Sequence, residues 1–194
     1  MKKIAVTIVL TLCAGALMAQ VPVNPAPAAA PAGNPLVAEA RQAYNTAKTN
    51  LTNMAAKMPP ENYEFKPVAD IRTFGELMAH IADTQITYCS MASGQQERGD
   101  AASKKTKDDI VAALKASFDK CDVAWDGTND ANASAMVGGG RMQRSRIGML
   151  IGNTIHDNEE YGYGSVYLRL KGVVPPSSDR GAMGGGAGGR GPGR

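Results

Sequence analysis

Residues 70–85 read DIRTFGELMAHIADTQ, and this stretch predicts a helix with a defined start. Thr73 and Glu76 stand three residues apart, the spacing at which each side chain can cap a backbone N–H of the other residue. The apolar stripe that follows at helical spacing comprises Phe74, Leu77, Met78, Ile81, Gln85, Tyr88 and Cys89. His80 lies at the side of this stripe, so the helix presents one of the two histidines of the chain next to its buried face.

Three further segments show the same helical period. They span residues 37–58, 106–125 and 145–171. The first stops at Pro59-Pro60, the second opens with a similar cap at Thr106, and the last ends at Gly172. No segment alternates convincingly with a period of two, as a strand would. The sequence therefore predicts an all-α fold, a four-helix bundle with long connecting loops, and leaves the order of the helices open.

The amino-terminal segment has the pattern of a secretory signal peptide. Residues 1–19 combine a charged start, a short apolar run and small residues that end in Ala19. The apolar run is too short to remain as a membrane-spanning helix. Cys13 raises a lipoprotein alternative, but Leu12 stands before it where such signals carry a small residue. We expect cleavage after Ala19 and export to the periplasm or the medium.

The rest of the chain divides into a linker, a folded core and a tail. Residues 20–35 are rich in proline and alanine, residues 36–178 carry the helical pattern, and residues 179–194 are rich in glycine and arginine. The linker and the tail can bury little apolar surface to offset the entropy of ordering, so we expect disorder in the tail.

The charge balance argues against a nucleic-acid partner. The 194 residues include 21 Lys and Arg against 18 Asp and Glu, and 43% are hydrophobic, as in an ordinary globular domain. A nucleic-acid-binding protein would carry a concentrated basic face. We expect a small-molecule substrate or ligand of unknown identity, and no stable membrane insertion. Helical bundles often pair, so a homodimer stays open, although no stripe in the sequence requires one.

Candidate chemistry is concentrated at His80, His156 and Glu160. His156 and Glu160 stand four residues apart on the predicted fourth helix, so both project from one face. Imidazole nitrogens and a carboxylate oxygen are good ligands for Zn²⁺ and other divalent metals, and three protein ligands leave a position open for water or substrate. The spacing alone also fits a surface hydrogen bond between His156 and Glu160, with His80 as a structural residue of the core.

Two motifs resemble the DinB-like family, the DinB/YfiT metalloenzymes. Residues 70–85 are similar to its second helix, and HDNEEYG at 156–162 with YLRLKGVVPPSS at 167–178 is similar to its fourth helix and exit. The resemblance covers residues 36–178 and implies a four-helix bundle. It also implies a divalent metal ion (zinc, nickel, iron or manganese) held by one histidine on the second helix and two on the fourth.

This chain departs from the family pattern at one ligand position. His80 and His156 match two of the histidines, whereas the third position is Glu160. A carboxylate can complete a His₂Glu set, and it would make the site more anionic and bound water less acidic. Alternatively, the replacement marks a member of the family that has lost its metal.

Residues next to these candidates have alternative interpretations. Asp83, one turn from His80, could orient that imidazole as a hydrogen-bond acceptor, or could face solvent. Asp157, Asn158 and Glu159 are expected to lie off the ligand face, in solvent-facing or capping roles.

Two other groups of residues are ambiguous as well. Arg141, Arg144 and Arg146 could bind an anionic substrate, but a solvated basic turn is the expectation. Gly162 and Gly164 each cost about 1 kcal/mol relative to alanine inside a helix. Close contact between helices or room above the metal would explain them, and contact is the favoured explanation.

Cys89 and Cys121 could form a disulfide in an oxidising envelope. If the second and third helices ran antiparallel, the two cysteines would differ in depth by about 15 Å, too far for the bond. If the helices ran parallel, the cysteines would be level, and the connection could just span a crossover. A disulfide would therefore imply a crossover topology, and two buried free thiols are the alternative.

Two classes of function compete on this evidence. The first is a metal-dependent enzyme: the resemblance implies thiol-dependent transferase or isomerase chemistry, whereas metal-activated water attacking an ester or amide would make a hydrolase. Export counts against the thiol-dependent chemistry, because low-molecular-weight thiols are mainly cytoplasmic. The second class is a non-catalytic exported bundle that binds a metal or a small ligand, or neither.

Overall fold

Four helices make up most of the computed structural model, which describes residues 35–179. They are α1 (Pro35–Lys57), α2 (Phe74–Ala92), α3 (Lys107–Asp126) and α4 (Arg146–Leu170). The all-α four-helix prediction is confirmed. The predicted signal peptide, nearly all of the linker and nearly all of the tail lie outside the described residues. Within the described part of the chain, no helix is both long enough and apolar enough to cross a membrane.

Local capping sets where three of the helices begin. Thr73 Oγ1 accepts a hydrogen bond from the Glu76 N–H at 3.1 Å, and the Glu76 carboxylate accepts one from the Thr73 N–H at 2.8 Å. Thr106 and Ser145 cap α3 and α4 in the same way, each accepting from the backbone N–H three residues on. Each such cap is worth about 1 kcal/mol. The predicted starts of α2 and α3 are confirmed.

The packing directions of α2 follow from its contacts with its two neighbours. A disulfide joins Cys89 to Cys121, near the carboxyl ends of α2 and α3, so these helices run parallel. Leu77, near the start of α2, lies beside Gly164, near the end of α4, so α2 and α4 run antiparallel. Helix α2 therefore packs between α3 and α4.

Helix α1 closes the bundle on the side opposite α2. Lys48 of α1 pairs with Asp122 of α3, and Lys107 at the start of α3 donates to the Met58 carbonyl just beyond α1. These contacts make α1 antiparallel to α3, and α1 also packs against α4. The helices thus run up, down, down and up, and residues 93–106 form the crossover that parallel α2 and α3 require.

A small hairpin in the connection before α4 was not predicted. Strands β1 (Met136–Val137) and β2 (Arg144–Ser145) pair antiparallel, with Met136 opposite Ser145. Gly138 lies between them with φ +72°, a left-handed conformation that favours glycine. Two-residue strands are too short to produce an alternating pattern, so the period-two criterion does not detect them.

Candidate metal centre

The antiparallel packing of α2 and α4 brings the three candidate ligands together. His80 projects from α2, and His156 and Glu160 project from α4 one turn apart. His80 Nε2 lies 3.2 Å from His156 Nε2 and 3.7 Å from Glu160 Oε1, and His156 Nε2 lies 3.5 Å from the same oxygen. Ligand atoms of the three side chains thus form a nearly regular triangle.

The dimensions of this triangle fit a divalent ion. A tetrahedral Zn²⁺ with bonds of about 2.0–2.1 Å holds its ligand atoms about 3.3 Å apart. The three measured separations bracket that value. Two imidazoles and one carboxylate are also an established set for an ion that keeps a fourth position open. The geometry and the chemistry of these donors therefore fit a metal centre.

The electrostatics of the site follow from partial burial. Burial raises the pKa of the Glu160 carboxyl, although the charges of His156 and Arg72 oppose this shift. Burial lowers the pKa of the His80 imidazole, and Arg72 and His156 lower it further, against the opposing charge of Asp83. A histidine with a lowered pKa is neutral at pH 7 and keeps a lone pair available for a ligand.

Two buried atoms of the site lack hydrogen bonds. Within residues 35–179, neither Glu160 Oε2 nor His156 Nδ1 has a hydrogen-bond partner. Leaving a buried polar atom unpaired costs about 1–3 kcal/mol. A cation bound at the triangle would interact with the Glu160 carboxylate directly and offset part of this cost, which supports the fit of a metal.

Asp157 contradicts the expectation that it lies in a solvent-facing or capping role. Its side chain is fully buried and points into the bundle. Oδ2 accepts a hydrogen bond from Asn153 Nδ2 at 3.0 Å, and Oδ1 accepts one from Gln85 Nε2 at 3.4 Å. Burial raises the pKa of its carboxyl, and hydrogen bonds with neighbours oppose the shift. Asn158 and Glu159 are exposed, as expected.

Asp83 does not orient His80. Its two oxygens accept hydrogen bonds from the backbone N–H groups of Ala101 and Ala102, at 2.7 and 3.1 Å. The carboxylate therefore stabilises the crossover between α2 and α3 rather than the imidazole. Sequence spacing could not show this, because the two partners lie 18 and 19 residues away along the chain.

The three arginines near the start of α4 lie in different surroundings. The guanidinium carbon of Arg144 lies 6.0 Å from the centroid of the Tyr88 ring, and a Cβ at Gly152 would lie 2.8 Å from Arg144 Nη1. Arg141 is exposed, and Arg146 is half-buried. Arg144 therefore packs on α2 and α4, and its surroundings differ from those of a solvated basic turn.

Gly162 and Gly164 of α4 lie in different surroundings. A Cβ at Gly164 would meet the sulfur of Met54 at 2.4 Å, so close packing against α1 explains this glycine. A Cβ at Gly162 would meet no atom of the described structure within 4 Å. Helix contact, the explanation favoured from the sequence, therefore holds for Gly164 and is wrong for Gly162.

A cavity of about 1080 Å³ opens beside the ligand triangle. His80 and Glu160 line it, together with residues of α2, α4, the loop before α2 and the crossover. Its apolar wall includes Ile71 and Val166, which are 41% and 51% exposed, and Arg72 lines it nearby. The cavity is large enough for a small molecule to reach the candidate ligands.

The fold and the site define a helical bundle with a candidate divalent-metal centre of two imidazoles and a carboxylate, of which His80 and Glu160 line a cavity. The chain belongs to the DinB superfamily, whose sequence profile matches residues 26–161. The family resemblance read from the two motifs is therefore confirmed. In a sequence comparison, no curated protein matches the chain.

Solved structures agree with the family. A DinB-like protein from Bacillus cereus has a TM-score of 0.60 at 17% identity, over 71% of this chain and 93% of that chain. A DinB-like protein from Bacillus subtilis has a TM-score of 0.56 at 15% identity, over 69% and 92%. A mutant of a mycothiol-dependent maleylpyruvate isomerase has a TM-score of 0.53 at 15% identity, over 63% and 59%. At these identities the likeness shows a shared fold.

The structure adds residues to the site that sequence reasoning missed. Gln85 belongs to the predicted apolar stripe of α2, yet its amide is fully buried and donates a hydrogen bond to Asp157. A polar residue on an apolar stripe was the available signal, because a buried amide needs partners on neighbouring helices. Asp157 gave no comparable signal, because it lies within the polar run HDNEE at 156–160.

Proposed function

We propose that this chain is an exported metal-dependent enzyme that acts on a small molecule. The proposed metal ligands are His80, His156 and Glu160. The observation that carries the proposal is the triangle of their ligand atoms, 3.2, 3.5 and 3.7 Å on its sides, at the edge of a cavity. Zinc, nickel, iron and manganese all accept imidazole and carboxylate ligands, so the identity of the metal is left to measurement.

The surroundings of the three ligands support chemistry rather than a purely structural role. Structural zinc sites have four protein ligands, whereas sites with three leave a position for water or substrate. His80 and Glu160 line the cavity, so a substrate inside it would reach two of the three proposed ligands, and its apolar wall offers a surface for the body of that substrate. A divalent ion there would acidify a bound water or thiol and polarise a substrate carbonyl.

Hydrolysis is the proposed reaction class. The signal-peptide pattern of residues 1–19 supports export from the cytoplasm. Low-molecular-weight thiols are scarce outside the cytoplasm, so water is the favoured nucleophile. Thiol-dependent transfer is the second candidate, because a solved structure with the same fold is a mycothiol-dependent isomerase. We further propose a periplasmic or secreted protein without a nucleic-acid partner, and leave homodimer formation as an accompanying hypothesis.

The first experiment measures metal in untagged protein purified from the periplasm, by plasma mass spectrometry. We expect about one equivalent of a divalent metal in the wild type, and loss of the metal in His156→Ala and in Glu160→Ala. Glu159→Ala is the matched control, because Glu159 is the neighbouring carboxylate on α4 and is exposed. Protein that carries the metal can then be screened with ester, amide and thiol-transfer substrates.

Each other outcome has a definite meaning. If the metal is lost in His156→Ala but retained in Glu160→Ala, the protein has a metal site in which Glu160 is not a ligand. Wild-type protein that stays free of metal after incubation with each of the four ions would overturn the proposal. The non-catalytic ligand-binding bundle would then be the better account of the fold.

A further inference from the structure

A buried carboxylate faces the side of His156 that points away from the candidate ion. Nε2 of this ring points to His80 and Glu160, at 3.2 and 3.5 Å. On the other side, His156 Nδ1 lies 3.9 Å from Asp157 Oδ1 and, among residues 35–179, has no hydrogen-bond partner. Burying a carboxylate is costly. Its position beside an unpaired ring nitrogen suggests that the two groups act together.

Three helices hold this carboxylate in place. Asn153, one turn before Asp157 on α4, donates Nδ2 to Oδ2 at 3.0 Å. From α2, Gln85 donates Nε2 to Oδ1 at 3.4 Å. From α3, the Ser117 hydroxyl donates to Gln85 Oε1 at 2.9 Å, and it also lies 2.7 Å from the Leu114 carbonyl oxygen of its own helix.

The depth of this network is unusual for polar side chains. Ser117, Gln85, Asn153 and Asp157 are all at most 1% exposed. Buried polar networks are stable when each member is satisfied, and they then fix one arrangement of side chains. Asn153 Oδ1 lacks a partner among residues 35–179, whereas both carboxylate oxygens of Asp157 accept a hydrogen bond, so the network restrains Asp157 relative to the His156 ring.

We propose that Asp157 is a positioning residue that accepts a hydrogen bond from the Nδ1–H of His156. This hydrogen bond keeps the ring proton on Nδ1, so that an unprotonated Nε2 faces the other two ligands. A neutral imidazole carries one proton, so a proton held at Nδ1 leaves the lone pair on Nε2. A movement of about 1 Å brings the 3.9 Å separation within hydrogen-bond distance. This inference rests on the proposed metal centre, in which a carboxylate behind a ligating histidine fixes the ring and increases its basicity.

The first test needs no metal. Because the chain has only two histidines, ¹⁵N NMR of the metal-free protein at about pH 8 reports both imidazole tautomers, with His80→Gln to assign them. We expect His156 to carry its proton on Nδ1, and His80 to donate from Nε2 to His156 Nε2. In Asp157→Asn this preference of His156 should be lost. A wild-type His156 protonated on Nε2 would overturn the inference.

The second test measures the affinity for zinc alone, by competition with a chromophoric chelator. We expect Asp157→Asn to weaken zinc binding about 10–100-fold. Gln85→Met and Ser117→Ala should weaken it by smaller factors, and they keep the inference testable if Asp157→Asn does not fold. Ser165→Ala is the matched control for Ser117→Ala, because Ser165 is a buried helical serine that donates only to the Tyr161 carbonyl among the described residues.

The outcomes separate this inference from the proposed function. Unchanged zinc affinity in folded Asp157→Asn would remove Asp157 from the site and leave the three ligands in place. Wild-type protein that binds no zinc or other divalent ion would overturn the metal centre. The tautomer of His156 would still decide whether Asp157 accepts a hydrogen bond from the Nδ1–H of His156.

Discussion

Cys89 of α2 and Cys121 of α3 form a disulfide, and their Cα atoms lie 5.0 Å apart. Both residues lie in the carboxyl-terminal halves of their helices and are fully buried. The bond therefore requires parallel helices and a crossover at residues 93–106. It also keeps α2, which carries His80, in fixed contact with the core of the bundle.

Removing this disulfide should destabilise the protein strongly. The bond joins residues 32 apart, and closing a loop of that length in the unfolded chain is worth about 3–4 kcal/mol in the chain-entropy description. We expect Cys89→Ala, Cys121→Ala and the double variant to lose similar stability in urea unfolding. The three losses should match because each variant breaks the same bond. Two titratable thiols in denatured, unreduced wild-type protein would contradict the pairing.

Gly162 and Gly164 of α4 should respond in opposite directions to substitution by alanine. Gly162→Ala adds a methyl group where no atom of the described structure lies within 4 Å, so better helix propensity should stabilise the protein by about 0.5–1 kcal/mol. Gly164→Ala places its Cβ 2.4 Å from the Met54 sulfur, and the side chain of Met54 must move. We expect it to be about 1–3 kcal/mol less stable than Gly162→Ala.

Chemical denaturation of the two variants at pH 7 measures this difference. Each is compared with wild type, and circular dichroism confirms that the helix content is unchanged. Equal stabilisation by both substitutions would show that α1 and α4 do not pack closely at Gly164.

Metal binding at His80, His156 and Glu160 should raise the thermal stability. An ion that binds only the folded state at 100 times its dissociation constant stabilises that state by about 2.7 kcal/mol. We expect zinc to raise the unfolding temperature of wild type and of Glu159→Ala, and a chelator to reverse the rise. The same concentration of zinc should have little effect on His80→Ala. Equal shifts in His80→Ala and wild type would place the bound zinc elsewhere.

The capping box of α2 should make stability depend on acidic pH. A hydrogen bond from the Thr73 N–H lowers the pKa of Glu76 below its ordinary value. A lowered pKa means that the carboxylate contributes stability above the pKa of the unfolded state, about 4.3, and loses it as the pH falls through the lower folded value. We expect Glu76→Ala to cost about 0.5–1 kcal/mol at pH 7.

Urea unfolding between pH 7 and pH 3 checks this dependence. The difference in the free energy of unfolding between wild type and Glu76→Ala should become smaller toward pH 3. Glu64→Ala is the control, because Glu64 is an exposed carboxylate outside the capping box, and its difference from wild type should stay small throughout. If the difference in the free energy of unfolding between wild type and Glu76→Ala is constant with pH, the charge of Glu76 does not stabilise the cap.

The amino-acid sequence by itself determined the features that depend on neighbours within one or two turns. Thr73 and Thr106 mark the starts of α2 and α3, because a cap involves residues only three positions apart. His156 and Glu160 share one face of α4 because residues four apart are one turn apart. The helical period of four segments was sufficient to predict the all-α bundle, and two motifs in the right order were sufficient to predict the family.

Only the tertiary structure decided which of these faces meet. The antiparallel contact of α2 with α4 brings His80 to His156, 76 residues away, and the same packing buries Asp157 against Gln85. Asp83 lies one turn from His80 but bonds to the crossover, which its local spacing does not reveal. The position of a residue along a helix determines the direction in which its side chain points from the helix axis. Its partners depend on how four helices pack to bury their apolar stripes together, and that is a property of the whole chain.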